Sequence, residues 1–412
     1  MKKNSAFYFL IYYGFEQTVI ESQVLTPVSR LKNEGLKITL IFMESFPKWV
    51  SFIFGGKDRQ RFNTIKNSPI TVFPRIPKNF LLLNSILIFL SLIPDLLTKK
   101  TLVFQARGFQ GTDVLLKLKR MSRKIKVICD VRGLESAEYE FFVNKHFSFR
   151  GFLQKIWLNQ LKMIERKAIF YADRFFCVSR YLIAKLKESA NNPDFECLYT
   201  PCAVEVEKYS QALTQRDLMR KKLGVDGKMV ILYSGAIGRW HLTDKVIQLF
   251  KWILDFEPNA FFLGLTPSAE KLTEMLRESL VPEKAYKILL VAFPEIPEYL
   301  AAADIGLLLR KKDPLNLYSF PTKFGEYLAA GLHVVTTDAI FDVREIIQTE
   351  KAGTILSNLD DPLLCVQDLK NAVNSAQQVS DRISISTGAA AKYLSWDLLI
   401  PQIKKTYQEL AQ

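Results

Sequence analysis

The stretch Tyr318-Ser-Phe-Pro-Thr-Lys-Phe-Gly-Glu-Tyr-Leu-Ala-Ala-Gly-Leu-His-Val-Val335 holds the most chemistry in this 412-residue chain. It is built as a loop, a helix and a strand. Pro321 suits the first helical turn, where a missing N–H costs little. Phe324, Leu328 and the pair Ala329-Ala330 fall on helical spacing, Gly331 suits the C-cap, and Leu332 to Val335 is a β-rich run. Glu326 therefore lies within two turns of a helix start. A carboxylate there is either a solvated, dipole-favoured helix residue or an acceptor that grips hydroxyls at a site the helix N-terminus points toward. A second segment, Ser234-Gly-Ala-Ile-Gly-Arg-Trp-His241, follows a strand and opens a helix. Its glycines let backbone approach a phosphate at a helix N-terminus, or simply make a tight strand-to-helix loop.

Other polar groups have weaker spacing. Asp130-x-Arg132-Gly133-x-Glu135 closes a strand, where charges can serve a cleft or form an internal Asp–Arg pair. Arg107-Gly108 closes the preceding strand in the same way. Asp360-Asp361 precedes Pro362 and reads as a loop with an N-cap rather than a metal motif. His146, His241 and His333 show no metal-ligand spacing, so no metal site is expected. The five cysteines include no CxxC pair and read as reduced core residues of a cytoplasmic protein.

These residues need positioning elements, and the chain supplies them in alternation. Strands are expected at Ala6–Tyr13, Lys37–Phe42, Ile70–Phe73, Thr101–Gln105, Val127–Cys129 and Asp173–Ser179. Helices are expected at Gln17–Glu34, around Thr112–Arg123 and over Gly151–Tyr171. Residues 203–228 are polar with helix-forming character and read as the linker and lead-in to a second domain. Strands then recur at Val230–Ser234, Ala260–Leu265, Lys287–Val291, Ile305–Leu309 and His333–Thr336. Such alternation predicts an α/β chain with a doubly wound parallel sheet in each half and ligands at the carboxyl ends of the strands. Met1-Lys-Lys followed by Ala6–Tyr13 imitates a signal peptide but lacks a small-residue cleavage site, so a first buried strand is expected.

Composition supports large cores: 49% of residues are hydrophobic and 12% aromatic. Residues 1–200 carry 32 Lys and Arg against 16 Asp and Glu, and residues 201–412 carry 24 against 26, so +16 and −2 make the net +14. The basic first half should meet an anionic partner. Phe80–Leu97 is the most apolar run, yet only about 14 residues precede Pro94 where a span needs about 20. It is expected as a buried or interfacial helix which, with basic residues around Lys117–Lys126, rests on an anionic membrane. Nucleic acid is disfavoured, because no interleaved basic–aromatic motif is present.

Ser-Phe-Pro-Thr-Lys-Phe-Gly-Glu-Tyr-Leu-Ala-Ala-Gly resembles the donor-site signature of retaining glycosyltransferases of the GT-B fold, family four, also called glycosyl transferases group 1. The resemblance extends over nearly the whole chain. It implies two Rossmann-like doubly wound domains facing across a cleft, with a terminal helix crossing back to the first domain. The expected boundaries are 1–202 for the acceptor domain, 203–390 for the nucleotide-sugar domain and 391–412 for that helix. The resemblance assigns the ribose to Glu326 and the diphosphate to Arg239 and Lys323, which form the catalytic set. Gly235, Ala236 and Lys245 join them at the donor diphosphate, although the relatives' lysine stands one place earlier, where this chain has Asp244. Phe293 and Ile296 fall to the base, Tyr318 and Ser319 with Asn316 are candidates for the sugar hydroxyls, and Thr322 is a further donor-binding residue. Relatives often carry a first Glu eight positions before the second; Tyr318 replaces it here. On the acceptor side stand Gly14, Phe15, Arg107, Asp130, Arg132 and Glu135.

The resulting expectation is metal-independent sugar transfer, with retention, from a nucleotide-diphosphate sugar to a polyprenyl-linked glycan acceptor in cell-surface polysaccharide biosynthesis. No cofactor is implied. The enzyme would be cytoplasmic, held peripherally at the inner face of the cell membrane. Two alternatives remain open: a nucleotide-sugar 2-epimerase of the same fold, which needs no acceptor, and a non-catalytic membrane-associated partner subunit with a degenerate donor site.

Overall fold

The structure is a computed structural model that describes residues 5–14, 19–55, 69–75, 81–143, 149–191, 195–238 and 241–412. The chain divides into two compact units: residues 1–201 with 399–412, and residues 202–398.

The first unit is built on β1 (Ser5–Ile11), β2 (Ile38–Glu44), β3 (Ile70–Pro74), β4 (Thr101–Arg107), β5 (Ile125–Val131), β6 (Arg174–Cys177) and β7 (Cys197–Tyr199). They form one sheet in the order β3-β2-β1-β4-β5-β6-β7. Every pairing is parallel, with Phe7 level with Ile38 on one side and Val103 on the other. A parallel sheet covered on both faces needs continuous apolar strands, and Leu10, Leu40, Phe42, Val103 and Phe104 are all buried. Helices α1 (Thr26–Asn33), α2 (Phe46–Ile53), α3 (Leu81–Ser91), α4 (Ile93–Thr98), α5 (Phe109–Met121), α6 (Glu135–Phe142), α7 (Phe149–Tyr171) and α8 (Arg180–Ala190) alternate with the strands.

Two helices depart from expectation for local reasons. The helix expected over Gln17–Glu34 starts outside the described residues and is interrupted. A π-helical turn, Glu21–Leu25, precedes α1, because Pro27 has no N–H to continue the ladder. The apolar run at Phe80–Leu97 breaks into α3 and α4 ahead of Pro94. Asn84 and Ser85 turn inward, and the Ser85 hydroxyl donates to Val114 O on α5 at 3.0 Å. Among the described residues, no helix is long and apolar enough to cross a membrane.

The second unit holds β8 (Met229–Ser234), β9 (Ala260–Leu265), β10 (Tyr286–Leu289), β11 (Ile305–Leu308), β12 (His333–Thr337) and β13 (Gly353–Leu356), all parallel in the order β10-β9-β8-β11-β12-β13. Its helices are α9 (Val206–Leu213), α10 (Arg216–Leu223), α11 (Thr243–Phe256), α12 (Ala269–Glu278), α13 (Ile296–Ala301), α14 (Pro314–Tyr318), α15 (Thr322–Ala329), α16 (Phe341–Glu350), α17 (Pro362–Gln377) and α18 (Val379–Leu394). The last helix, α19 (Trp396–Leu410), runs into the first unit. There Tyr407 meets Phe7 edge to face and donates to Gln105 Oε1 at 2.9 Å.

The segment expected as a linker is not one. Residues 206–223 form α9 and α10, which pack on α13, and Arg216 and Arg220 converge on Asp304. Asp304 also pairs with Arg382 at 3.1 Å and accepts the Val230 N–H at 2.8 Å. The surrounding carbonyls of Ala302, Gly331 and Lys228 accept further guanidinium N–H groups of Arg220 and Arg382. One buried carboxylate thereby joins two helices, α10 and α18, to the strand edge.

Candidate functional site

In each sheet the strand order reverses at one place, and ligands of such folds lie beyond the carboxyl ends of the two strands that flank it. In the second unit those strands are β8 and β11, paired Ile305 to Ile231 and Gly306 to Leu232. Beyond β8 the chain turns at Gly235, whose φ of +140° is open to glycine and strained for other residues. Its N–H donates to Leu265 O at 2.9 Å. The Tyr233 hydroxyl donates to Ala236 O at 3.0 Å, and Nδ1 of His241 lies 2.5 Å from the same oxygen. The loop is thus tied at Gly235 and Ala236. Arg239 lies outside the described residues. Burial first, and then the Arg310 charge, lower the His241 pKa to about 4, so the imidazole is neutral near pH 7.

Helix α15 supplies the second wall. Pro321 is its N-cap, Thr322 opens it, and Gly331 (φ +72°) turns the chain into β12. Lys323 and Glu326 lie three residues apart on one face, with Nζ 2.9 Å from Oε2. The Glu326 Oε1 accepts no hydrogen bond among the described residues, which leaves an acceptor for a hydroxyl. Tyr327 fixes this helix against the Gly235 loop. Its buried hydroxyl accepts the Ser234 N–H at 2.9 Å, and its ring fills the space over Gly306, where an added Cβ would sit 2.4 Å from the ring.

Arg310, which the sequence reading missed, stands just past β11 on the other side of the reversal point. It is half-buried, and its guanidinium donates to Leu309 O at 2.9 Å. Among the described residues it has no carboxylate partner. Tyr233, Tyr327 and His241 are its electrostatic neighbours, and burial lowers its pKa. A partly desolvated cation without a counter-ion favours an anion at that place. Its one sequence signal was its position at a strand end.

The other donor-side candidates are placed as follows. Lys245, in the first turn of α11, pairs with exposed Asp360 at 3.1 Å. Asp361 caps α17, accepting from Leu363 and Leu364. Phe293 is half-buried under the Lys208 ammonium, 5.2 Å from its ring centroid, and Ile296 begins α13. Tyr318 ends α14. Asn316 is buried and donates to Lys311 O at 2.7 Å, while Ser319 donates to Asn316 O at 3.2 Å. Asn316 and Ser319 therefore spend polar atoms on the shape of their loop. Among the described residues there is no cluster of His, Cys, Asp and Glu able to hold a metal ion.

In the first unit the reversal lies between β1 and β4. Gly14 (φ +75°) leaves room for the Glu44 carboxylate, which a Cβ would approach to 2.4 Å; Phe15 lies outside the described residues. Gly108 makes the same room for Glu135. Glu135 Oε1 accepts the Phe109 N–H at 2.7 Å, and Gln110 bridges Glu135 to the Tyr13 hydroxyl, so Glu135 caps α5. Burial outweighs these bonds and raises its pKa. Asp130 has no exposed surface; it pairs with Arg132 Nε at 2.7 Å and accepts Gln105 Nε2 at 2.9 Å. Of the two readings of Asp130 and Arg132, the internal pair is formed. Arg107 is buried beside them.

Residues 215–377 match the family profile described as Glycosyl transferases group 1. The matched segment lies wholly within the second unit. Gly235, Arg310, Lys323 and Glu326 all fall inside it. Nearly the whole chain is also similar to solved structures. HepE of Anabaena in complex with UDP superposes with a TM-score of 0.70 at 12% identity, over 98% of this chain and 100% of that one. A glycosyltransferase from Rickettsia africae gives 0.70 at 13%, over 99% of each chain. Sucrose-phosphate synthase from Thermosynechococcus elongatus gives 0.67 at 12%, over 98% and 99%. The two parallel units are thus those of the GT-B fold. No protein of curated function matches in sequence.

Proposed function

We propose that this protein transfers a sugar, with retention of anomeric configuration and without a metal ion, from a nucleotide-diphosphate sugar to a polyprenyl-linked glycan acceptor in cell-surface polysaccharide biosynthesis. The observation that carries the donor half is the convergence at the β8–β11 reversal of the Gly235 turn, Arg310, which has no carboxylate partner among the described residues, and the Lys323–Glu326 face, all within the segment that matches the group 1 profile. Glu326 Oε1 receives a ribose hydroxyl. Arg310 and Lys323, with Arg239, hold the diphosphate. As the bond from the anomeric carbon to the diphosphate breaks, these cations take up the charge that develops on the leaving oxygens. The acceptor oxygen bonds to the anomeric carbon and gives up its proton to the departing diphosphate oxygen. Holding both substrates supplies the rest of the rate enhancement.

The acceptor half rests on the first unit: its basic excess fits a phosphorylated lipid at the inner face of the membrane. Gly14 and Arg107 stand at the β1–β4 reversal, where such a sheet takes its ligand. The UDP complex of HepE makes uridine nucleotides the first donors to try. Turnover of UDP-sugars with and without lipid-linked acceptor is the test. Glu326→Ala and Lys323→Ala should each cost ~10- to 1,000-fold in turnover with the fold intact, the size seen for losing one charge-stabilising donor. Near-normal rates in both would refute the site. Donor isomerisation without acceptor would show an epimerase instead.

A further inference from the structure

Helix α7 has two sides of different chemistry. Its inner side is set by Leu161, Ile164, Glu165 and Ala168, all buried, where it packs on α5, α6 and α8. Glu165, the one acidic residue of the helix, points inward and accepts the Ser136 N–H at 2.7 Å and hydroxyl at 2.6 Å. On the opposite side Phe152, Ile156, Met163 and Phe170 are 61%, 40%, 53% and 52% exposed. At 3.6 residues per turn their spacings of 4, 7 and 7 keep them within about 40° of one another, in one stripe with exposed Asn159 at its edge between Ile156 and Met163. Lys155, Lys162 and Arg166 are exposed along one edge of the stripe and Lys167 along the other. None of the four forms an ion pair among the described residues, and no carboxylate shares the outer face.

Three of the cations that the sequence analysis placed at a membrane are engaged within the protein. Lys117 pairs with Asp113, and Lys119 with Asp173 at 2.7 Å. Lys124 donates to Leu96 O at 2.7 Å and Lys99 O at 3.2 Å. Helix α3 has exposed Leu82, Leu83 and Leu90 but no cation within it.

We propose that the outer face of α7 lies in the headgroup layer of an anionic lipid surface, the apolar stripe entering the acyl boundary and the four cations meeting lipid phosphates. An interfacial helix needs this pairing of an apolar stripe with basic flanks, and the wholly cationic outer face selects a negative surface. The inference rests on the membrane-facing part of the function proposed above and gives it a location; it does not depend on the donor site.

The test is sedimentation of the full chain with vesicles of phosphatidylglycerol or of phosphatidylcholine alone. The wild type should bind the first and not the second. Replacing Lys155, Lys162, Arg166 and Lys167 with Gln should weaken binding about fivefold per cation, more than 100-fold together. Replacing Phe152, Ile156, Met163 and Phe170 with Ser should abolish it. All eight side chains are exposed, so melting temperature and nucleotide binding should be unchanged. The pair Leu82→Ser and Leu90→Ser should retain binding. If wild type binds anionic vesicles and both α7 variants bind equally well, the α7 assignment falls while the membrane reading stands. If wild type binds no vesicle, both fall. If the stripe variants instead convert a dimer into a monomer and wild type ignores lipid, the face belongs to a second copy of the chain, which also overturns the proposal.

Discussion

Replacing Arg310 with Met separates a ligand-binding cation from a structural one. Methionine keeps much of the side-chain volume and removes the charge. The guanidinium has no carboxylate partner among the described residues and makes one hydrogen bond, to Leu309 O. An arginine held by so few contacts contributes little to the unliganded fold, because its desolvation offsets them, whereas one that the fold depended on would cost several kcal/mol. Apo stability should therefore change by no more than ~1 kcal/mol, in either direction. Nucleotide binding should suffer much more. A hydrogen bond to a charged group contributes ~1.5–3 kcal/mol, so the diphosphate should bind ~10- to 150-fold more weakly. In a thermal melt at about 100 times the wild-type dissociation constant, the ligand stabilises wild type by ~2.7 kcal/mol, and a 100-fold weaker variant by only ~0.4 kcal/mol. Isothermal titration with nucleoside diphosphates gives the affinity directly. Arg310→Lys, which keeps the charge but not the fork, should fall between. His241 is a second readout, since the Arg310 charge helps to lower its pKa; in Arg310→Met its titration should move up. Unchanged nucleotide affinity together with a loss of several kcal/mol in the apo protein would refute the reasoning.

Tyr327→Phe removes the acceptor of the buried Ser234 N–H; it should cost about 1–3 kcal/mol in urea unfolding and raise KM for the donor, and an unchanged KM would deny that Tyr327 positions the Gly235 loop. Asp304→Ala strands three guanidinium groups, one of them Arg382 with 1% of its side chain exposed; it should cost about 3–5 kcal/mol, and a loss below about 1 kcal/mol would show that the carbonyls alone hold the cluster. His333 and His241 have folded pKa values lowered to about 4 by burial, against 6.5 for the unconstrained imidazole. As pH falls below about 6.5 the unfolded chain takes up protons that the folded chain refuses. The stability is complete above that pH and is lost toward pH 4, by up to ~1.4 kcal/mol per pH unit for buried His333 and less for the more exposed His241. His333→Asn should flatten the slope between about pH 6.5 and 4.5 in denaturant titrations, and an unaltered slope would assign it to other groups.

What could be read in advance follows from the range of the interactions. The strands, and the turns at Pro321 and Gly331, are set by residues close in sequence, so apolar runs and punctuating residues announce them. Glu326 is visible because its helix and loop form one contiguous signature. Arg310 is not: it follows Leu307-Leu-Leu309 and precedes Lys311-Lys-Asp313, where it reads as one charge in a polar loop. Only the pairing of β11 with β8, more than 70 residues earlier, brings it to the reversal point. The role of Asp304 is hidden in the sequence for the same reason, since its three arginines lie between 78 and 88 residues away. Residues 203–228 read as a linker because their apolar anchors, Tyr209, Ala212 and Met219, are sparse among charges.

Charge counts misdirect in a related way. The +16 of the first 200 residues is a property of composition, but a surface field depends on which cations lack partners. Lys117, Lys119 and Lys124 contribute to the count and yet are bound by Asp113, Asp173 and backbone carbonyls. The basic cluster that looks densest in sequence is thus partly spent on packing α5 and α4. Helix α7 looks unremarkable by contrast, because apolar residues face both inward and outward and blur its amphipathic signal. Its single carboxylate is turned into the protein, so its outer face keeps every cation it carries. The anionic partner implied by composition is therefore sought on α7.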